Sequence, residues 1–447
     1  MANYNIRYLS LEGYVVRTIF LTLTMLGLFN VMGTEDNTTA SFISESVVFL
    51  ILTFIAAKLY LGNNSIVYIF LLAYVIKLLI GVFHYLYFID PNYFHSTGNN
   101  QMLHQEFQAV TQFLESAVAE KKELGLFHMK LDGHVTHQEL LSIIAIPFRY
   151  FGVKILNIAP INSFFSILTA INIFMVCKKE EWTSDVCKCI LLILAFFPAT
   201  LLTSYFFRDI VGWAFISVGL VLICKANSIT TKTIAIVISM GLFYLQRNGY
   251  IVIPIALVMA QYSLLAKTRK VGMFLFVCIV ALLIVPLAVG FASTESTDSY
   301  VDGVSNLTVI ALPIKIILGL IGPFPWTNVM MYETFPAVSY YIGDYVMGCL
   351  NIGLLICLFT NWRQYKRIGS LTESMILGLL LISMGLLTRV MHMTYISIGV
   401  IFMIPWFVEN VGNIAINQNI RKAVIVLVLL NILVVSLGLG GLGTIFR

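Results

Sequence analysis

The sequence predicts an all-α fold, a polytopic transmembrane helix bundle of about thirteen spans, and three observations predict it. First, 59% of the 447 residues are hydrophobic and only 11% are charged, against roughly 45–50% and about 25% in a soluble domain. Too few charges remain to cover a water-facing surface, and the mean hydropathy is +0.91. Second, the apolar residues fall in runs of about twenty, the length that crosses roughly 30 Å of hydrocarbon as a helix. An outer-membrane barrel would instead show alternating segments of about ten residues. Third, the cysteines lie in apolar runs or beside clustered Lys and Arg and not in the long polar loops, so no disulfide framework is implied. A barrel, a secreted domain and a nucleic-acid-binding module are excluded.

Taken in order, apolar runs bounded by charges or turn residues place spans near 13–33, 41–61, 65–89, 160–177, 184–205, 209–225, 231–247, 249–266, 271–292, 337–360, 371–388, 392–409 and 423–443. The leading MANYNIRYLSLEGYVVR lacks the apolar core and small-residue cleavage site of a signal peptide, so the first helix is expected to stay. Two further apolar stretches are interrupted, 139–158 by Pro147, Arg149 and Lys154, and 306–322 by Pro313 and Lys315. Broken helices of this kind lie at the interface or re-enter the membrane. Positive charge is retained on the cytoplasmic side of short loops, and KTRK at 267–270 and RQYKR at 363–367 set the orientation with the N-terminus cytoplasmic. Both long polar segments, 90–138 and 293–336, then face outward from a single membrane domain spanning 1–447, without repeats or soluble linkers.

The arginines that break this rule carry the most information. Arg208 in SYFFRDI, Arg247 in YLQRNGY and Arg389 in LLTRVMH each stand at the outer end of a different span, where positive charge is normally depleted. An arginine beside hydrocarbon is costly unless hydrated or paired. Three at one depth point to a shared anion, for which the planar, always-charged guanidinium fork is suited. The plainer alternative for each is snorkelling to the headgroups, or a local pair such as Arg208 with Asp209. Within the spans, Glu45, Lys77 and Asp344 either pair with one another or line a polar cavity.

The histidines His84, His95, His104, His128, His134, His137 and His392 all map to the outer side or its edge. His134 and His137, with Asp132 and Glu139 close by, have the types needed for a general base, although solvated loop histidines are the commoner outcome and no third metal ligand can be placed. FIDPNYFHSTGNN puts Asp90 just beyond the third span, where a carboxylate can act as base toward a sugar hydroxyl or simply turn the chain out of the membrane. GPFPW at 322–326 stiffens an outer loop and presents Trp326 at headgroup level, for a sugar face or as an interfacial anchor.

A broken outer loop after an early span, SYFFRD at the outer end of a middle span, an arginine one hairpin later, a PFPW-type loop and TRVMH near a late span together resemble bacterial polysaccharide repeat-unit polymerases of the O-antigen polymerase type. More distantly, the layout is similar to the GT-C glycosyltransferase superfamily. The resemblance implies glycosyl transfer in the bacterial inner membrane, from a polyprenyl-pyrophosphate-linked oligosaccharide on its periplasmic face. It implies that Arg208, Arg247 and Arg389 hold the pyrophosphate and that Asp90 is the first-loop acid; the residues themselves add Asp209, His392 and Trp326 as substrate-binding candidates and His134 and His137 as further candidates for the catalytic base. No cofactor is expected, with a divalent metal left open. The expected partners are the lipid-linked oligosaccharide, the bilayer and a chain-length regulator, with no nucleic acid. The alternative is a lipid-linked oligosaccharide flippase or other secondary transporter, which would show two related halves and a site near the midplane.

Overall fold

The computed structural model describes residues 9–34, 39–62, 64–88, 138–152, 154–178, 182–201, 207–265, 354, 373–386 and 393–411. Every regular element among the described residues is helical. Five helices are long and apolar enough to cross a membrane: Leu11–Met32, Thr39–Leu61, Ser65–Phe83, Ile158–Cys177 and Ile229–Gln246. The expected spans near 271–292, 337–360 and 423–443, and the expected re-entrant stretch 306–322, lie outside the described residues except for Leu354. The chain divides into two compact units, Met1–Arg247 and Asn248–Arg447.

In the first unit, α1 (Leu11–Met32) starts where Ser10, in extended conformation, accepts a hydrogen bond from Gly13 N at 3.1 Å. Such a cap satisfies one orphan amide and is worth about 1 kcal/mol. The helix buries Tyr14, Leu21 and Phe29 and leaves Val16 and Leu23 about two-thirds exposed, an apolar face that hydrocarbon accepts and water would not. Helix α2 (Thr39–Leu61) turns through Gly62, at φ 69°, into α3 (Asn64–Phe88). Next comes α4 (Gln138–Phe151), an amphipathic helix with Pro147 inside it, ended by Gly152 at φ 84°. It replaces the first half of the interrupted run 139–158. Asn157 tethers its end by donating to Phe151 O and Gly152 O at 3.1 and 3.0 Å.

Helix α5 (Ile158–Cys177) is the hub, buried along almost its whole length because α2, α3, α6 (Ser184–Ala195) and α8 (Phe207–Lys225) all pack on it. Phe29 of α1, Phe49 of α2 and Phe164 of α5 form a continuous ring stack, with centroids 5.7 and 5.5 Å apart. Polar side chains inside it are paired: Tyr14 Oη donates to Asn172 Oδ1 at 3.2 Å, and Asn172 Nδ2 donates to Ser217 Oγ at 2.9 Å. This ties α1, α5 and α8 through groups whose burial would otherwise cost about 1–3 kcal/mol each.

The expected continuous span 184–205 is not continuous. Helix α6 stops at Ala195, Phe196 and Phe197 leave the helix, and a single turn, α7 (Pro198–Leu201), follows. Pro198 has no N–H to donate and its ring clashes with the preceding turn, so the chain restarts with proline in the first helical position. Beyond it, α8 and α9 (Ile229–Gln246) form a tight hairpin whose turn is fixed by a capping box between Ser228 and Thr231. Cations collect at one end of this unit. Arg17 of α1 donates to Leu59 O at the end of α2, and Lys225 at the end of α8 donates to Leu9 O at 2.6 Å. The α8–α9 turn lies at that same end, so the start of α8 and the finish of α9 lie at the opposite one.

The second unit contains a 3-10 turn (Asn248–Val252), α10 (Ile253–Leu265), α11 (Glu373–Leu386) and α12 (Met393–Val411). Helices α11 and α12 cross backbone to backbone at Gly378 and Gly399. A methyl group on either would stand 2.6 or 2.5 Å from the other's carbonyl oxygen. Ser374 Oγ locks the pair by donating to Phe402 O at 2.6 Å.

Candidate functional site

The α8–α9 hairpin brings two of the three outlying arginines to one place. Arg208 occupies the first turn of α8, and its backbone is described where its side chain is not. Arg247 caps α9, its amide donating to Phe243 O at 3.1 Å, and is only 7% exposed. Snorkelling would carry the guanidinium out to the surface, so burial argues against that reading for Arg247.

Asp209, also in the first turn of α8, is partly buried and sits where the helix dipole favours negative charge. Its Oδ1 accepts from Gln246 Nε2 at 2.8 Å. Asp209 is thereby tied across the hairpin to α9. A carboxylate only accepts, so the amide nitrogen of Gln246 must face Asp209, and its Oε1 turns toward α8. That oxygen lies against Gly212, where the Cβ of any larger residue would overlap it. One turn-pair further along, Gly219 admits Phe243 and Ser239, and Ser239 Oγ donates to Gly219 O at 3.1 Å. The pair Gly212 and Gly219, seven apart, gives α8 a groove; Ser239, Phe243 and Gln246 give α9 the matching ridge. The consequence is that Asp209 and Gln246 are tied across the hairpin, next in the chain to Arg208 and Arg247.

Deeper in the same unit, Lys77 of α3 is fully buried and donates to Ser166 Oγ of α5 at 2.7 Å and Thr200 Oγ1 of α7 at 2.8 Å. Both hydroxyls pass their own protons on, Ser166 to Ser163 O and Thr200 to Phe197 O, so each keeps its lone pairs for the ammonium. Helix α7 starts after the break at Phe196–Phe197, and Thr200 in it stands beside Lys77. Phe197 meets Trp213 of α8 edge-on with centroids 6.5 Å apart, linking this buried polar point to the helix that carries Arg208 and Asp209. Glu45, expected as a pairing candidate for Lys77, does not bond it; its two carboxylate oxygens are buried and have no hydrogen-bond partner among the described residues.

Asp90, His134, His137, Trp326, Arg389 and His392, and Asp344 with them, lie outside the described residues. The sequence reading passed over Gln246, Gly212, Ser166 and Thr200. Gln246 had a signal, being a polar residue within an otherwise apolar turn just before Arg247, and the glycine pair at 212 and 219 had one in its seven-residue spacing. Ser166 and Thr200 had none, since hydroxyl residues in spans are ordinary. The chain matches no protein-family model, no curated protein and no solved structure.

Proposed function

We propose that the chain is a membrane glycosyltransferase of the inner membrane, with about thirteen spans and a cytoplasmic N-terminus. It transfers sugar from a polyprenyl-pyrophosphate-linked donor on the periplasmic face, polymerising the oligosaccharide repeat units of a surface polysaccharide. The observation that carries the reading is the corner at which Arg208 and Arg247 stand together, Arg247 buried, at the end of the unit opposite Arg17 and Lys225. With the positive end cytoplasmic, that corner faces outward.

The chemistry needs charge stabilisation more than covalent participation. As the anomeric carbon–oxygen bond to the pyrophosphate breaks, negative charge grows on the leaving oxygen, and preorganised guanidinium groups stabilise it where water is scarce. The acceptor sugar hydroxyl forms the new bond to the anomeric carbon and gives its proton to a base, for which Asp90, His134 and His137 are the candidates. Arg389, His392 and Trp326 are the further donor-binding candidates from the sequence. The product is a lengthened chain on one lipid carrier and a free polyprenyl pyrophosphate.

A second reading, transport of the lipid-linked oligosaccharide, is favoured by Lys77 at a broken helix, since transporters build their sites from discontinuous spans. One experiment separates the two. In cells lacking the endogenous gene, Arg208→Ala, Arg247→Ala and Arg389→Ala at matched protein levels are expected to leave single repeat units on the outer face. Normal polymer from all three removes the arginine site, and repeat units accumulating on the cytoplasmic side transfer the case to transport.

A further inference from the structure

We infer that Glu45 is the anchor of a site for one monovalent cation, a proton or a sodium ion, inside the first unit. The inference stands independently of glycosyl transfer. Glu45 lies six residues into α2, about 9 Å along the helix at roughly 1.5 Å per residue, and is 0% exposed. Neither carboxylate oxygen has a hydrogen-bond partner among the described residues. The donors around it are committed elsewhere. Tyr74 Oη of α3 donates to Ser46 O at 2.8 Å, Ser46 Oγ donates to Phe42 O at 2.7 Å, and Ser44 Oγ donates to Met32 O at 2.7 Å.

The cations on neighbouring helices do not serve it either. Lys77 of α3 is engaged with Ser166 and Thr200, Arg149 of α4 is exposed, and Lys154, in the turn before α5, is partly exposed. Helix α5 contributes no charged residue at all, its only titratable group being Cys177 at the far end, and the side of α1 facing α2 offers Phe29. The rings of Phe29, Phe49 and Phe164 close the space one turn further along α2. A bare carboxylate in such surroundings carries a desolvation cost of several kcal/mol. A bound proton or a small hard cation, for which carboxylate oxygen is the natural ligand, removes it. An intramembrane acid that, among the described residues, makes no hydrogen bond and faces no fixed counter-charge is the arrangement that exchangeable cations occupy.

The test uses the full chain in native membranes. Dicyclohexylcarbodiimide, an apolar reagent, adds only to a protonated carboxyl, and peptide mass spectrometry reads the adduct at Glu45. Labelling is expected to fall by more than half when pH is raised, without protection by sodium, if the occupant is a proton. It is expected to fall by more than half on adding sodium at fixed pH, and not on adding choline, if the occupant is sodium. Labelling that ignores both pH and sodium overturns the proposal. Because the reagent can fail to reach the site, thermal unfolding of purified wild type and Glu45→Gln is measured across the same pH and sodium series. The wild-type midpoint should move with one of the two cations and the isosteric variant's should not. Equal movement in both proteins overturns the proposal irrespective of labelling.

Discussion

Asp209 and Gln246 show how a single amide sets the geometry of a charged corner. A hydrogen bond to a charged group is worth about 1.5–3 kcal/mol when buried, and Asp209 is partly exposed, so the lower end of that range applies. Gln246→Leu is expected to lower stability by about 1.5 kcal/mol and to loosen the neighbouring Arg247. Chemical or thermal unfolding in detergent measures the first effect; a larger loss in polymer length than in protein level measures the second. Arg247→Ala, by contrast, removes charge directly, and if the guanidinium acts on the leaving pyrophosphate it should cost on the order of 10²–10³ in rate. Arg247→Lys keeps the charge and loses the planar fork, so it should recover only part of the activity. A lysine variant with wild-type polymer synthesis would show that the fork is not used.

Two helix pairs in this chain, α8 with α9 and α11 with α12, meet at glycines. At the α11–α12 crossing, a methyl at Gly378 would stand 2.6 Å from Gly399 O, too close to be accommodated without separating the helices. Gly378→Ala should therefore destabilise by about 1–3 kcal/mol, as overpacking generally does. Gly27 of α1 is the matched control, since nothing lies within 4 Å of its absent Cβ. Gly27→Ala should be neutral or stabilising by about 0.5–1 kcal/mol from helix propensity alone. Paired unfolding curves in one detergent decide the matter, and equal effects at both positions would refute the crossing. Element bounds such as Thr39–Leu61, Ile158–Cys177 and Ile229–Gln246 were legible within about two residues, because hydropathy and flanking charge both mark a span's ends. The break after Ala195 was not, although Pro198 was in plain view. An apolar run fixes length, whereas whether proline kinks, starts or interrupts a helix depends on the neighbours that receive its freed backbone groups. Pairing across helices was illegible for the same reason: Lys77 reaches Ser166 and Thr200, 89 and 123 residues away, a contact no local pattern encodes.

At the scale of the whole molecule, the two functional readings separate at Lys77. The ammonium is fully buried, and the hydroxyls that receive it retain their own backbone acceptors, Ser163 O and Phe197 O. Lys77→Met is nearly isosteric in its stem and leaves both hydroxyls satisfied as donors, so the helix packing of α3, α5 and α7 should survive it. If the chain polymerises sugar at the Arg208 and Arg247 corner, the Lys77→Met protein should fold and still make polymer, because the lysine is fully buried inside the bundle against Ser166 and Thr200. If instead the chain carries the oligosaccharide across, the lysine at the broken span is the fixed charge of its path, and the same substitution should stop delivery while leaving repeat units on the cytoplasmic leaflet. Leaflet-resolved assay of the lipid-linked unit, with the arginine variants run alongside, gives opposite patterns for the two cases. Polymer lost in the arginine variants and kept in Lys77→Met places the chemistry at the corner. Delivery lost in Lys77→Met, with single units still polymerised when supplied from outside, places the function along the interior of the bundle.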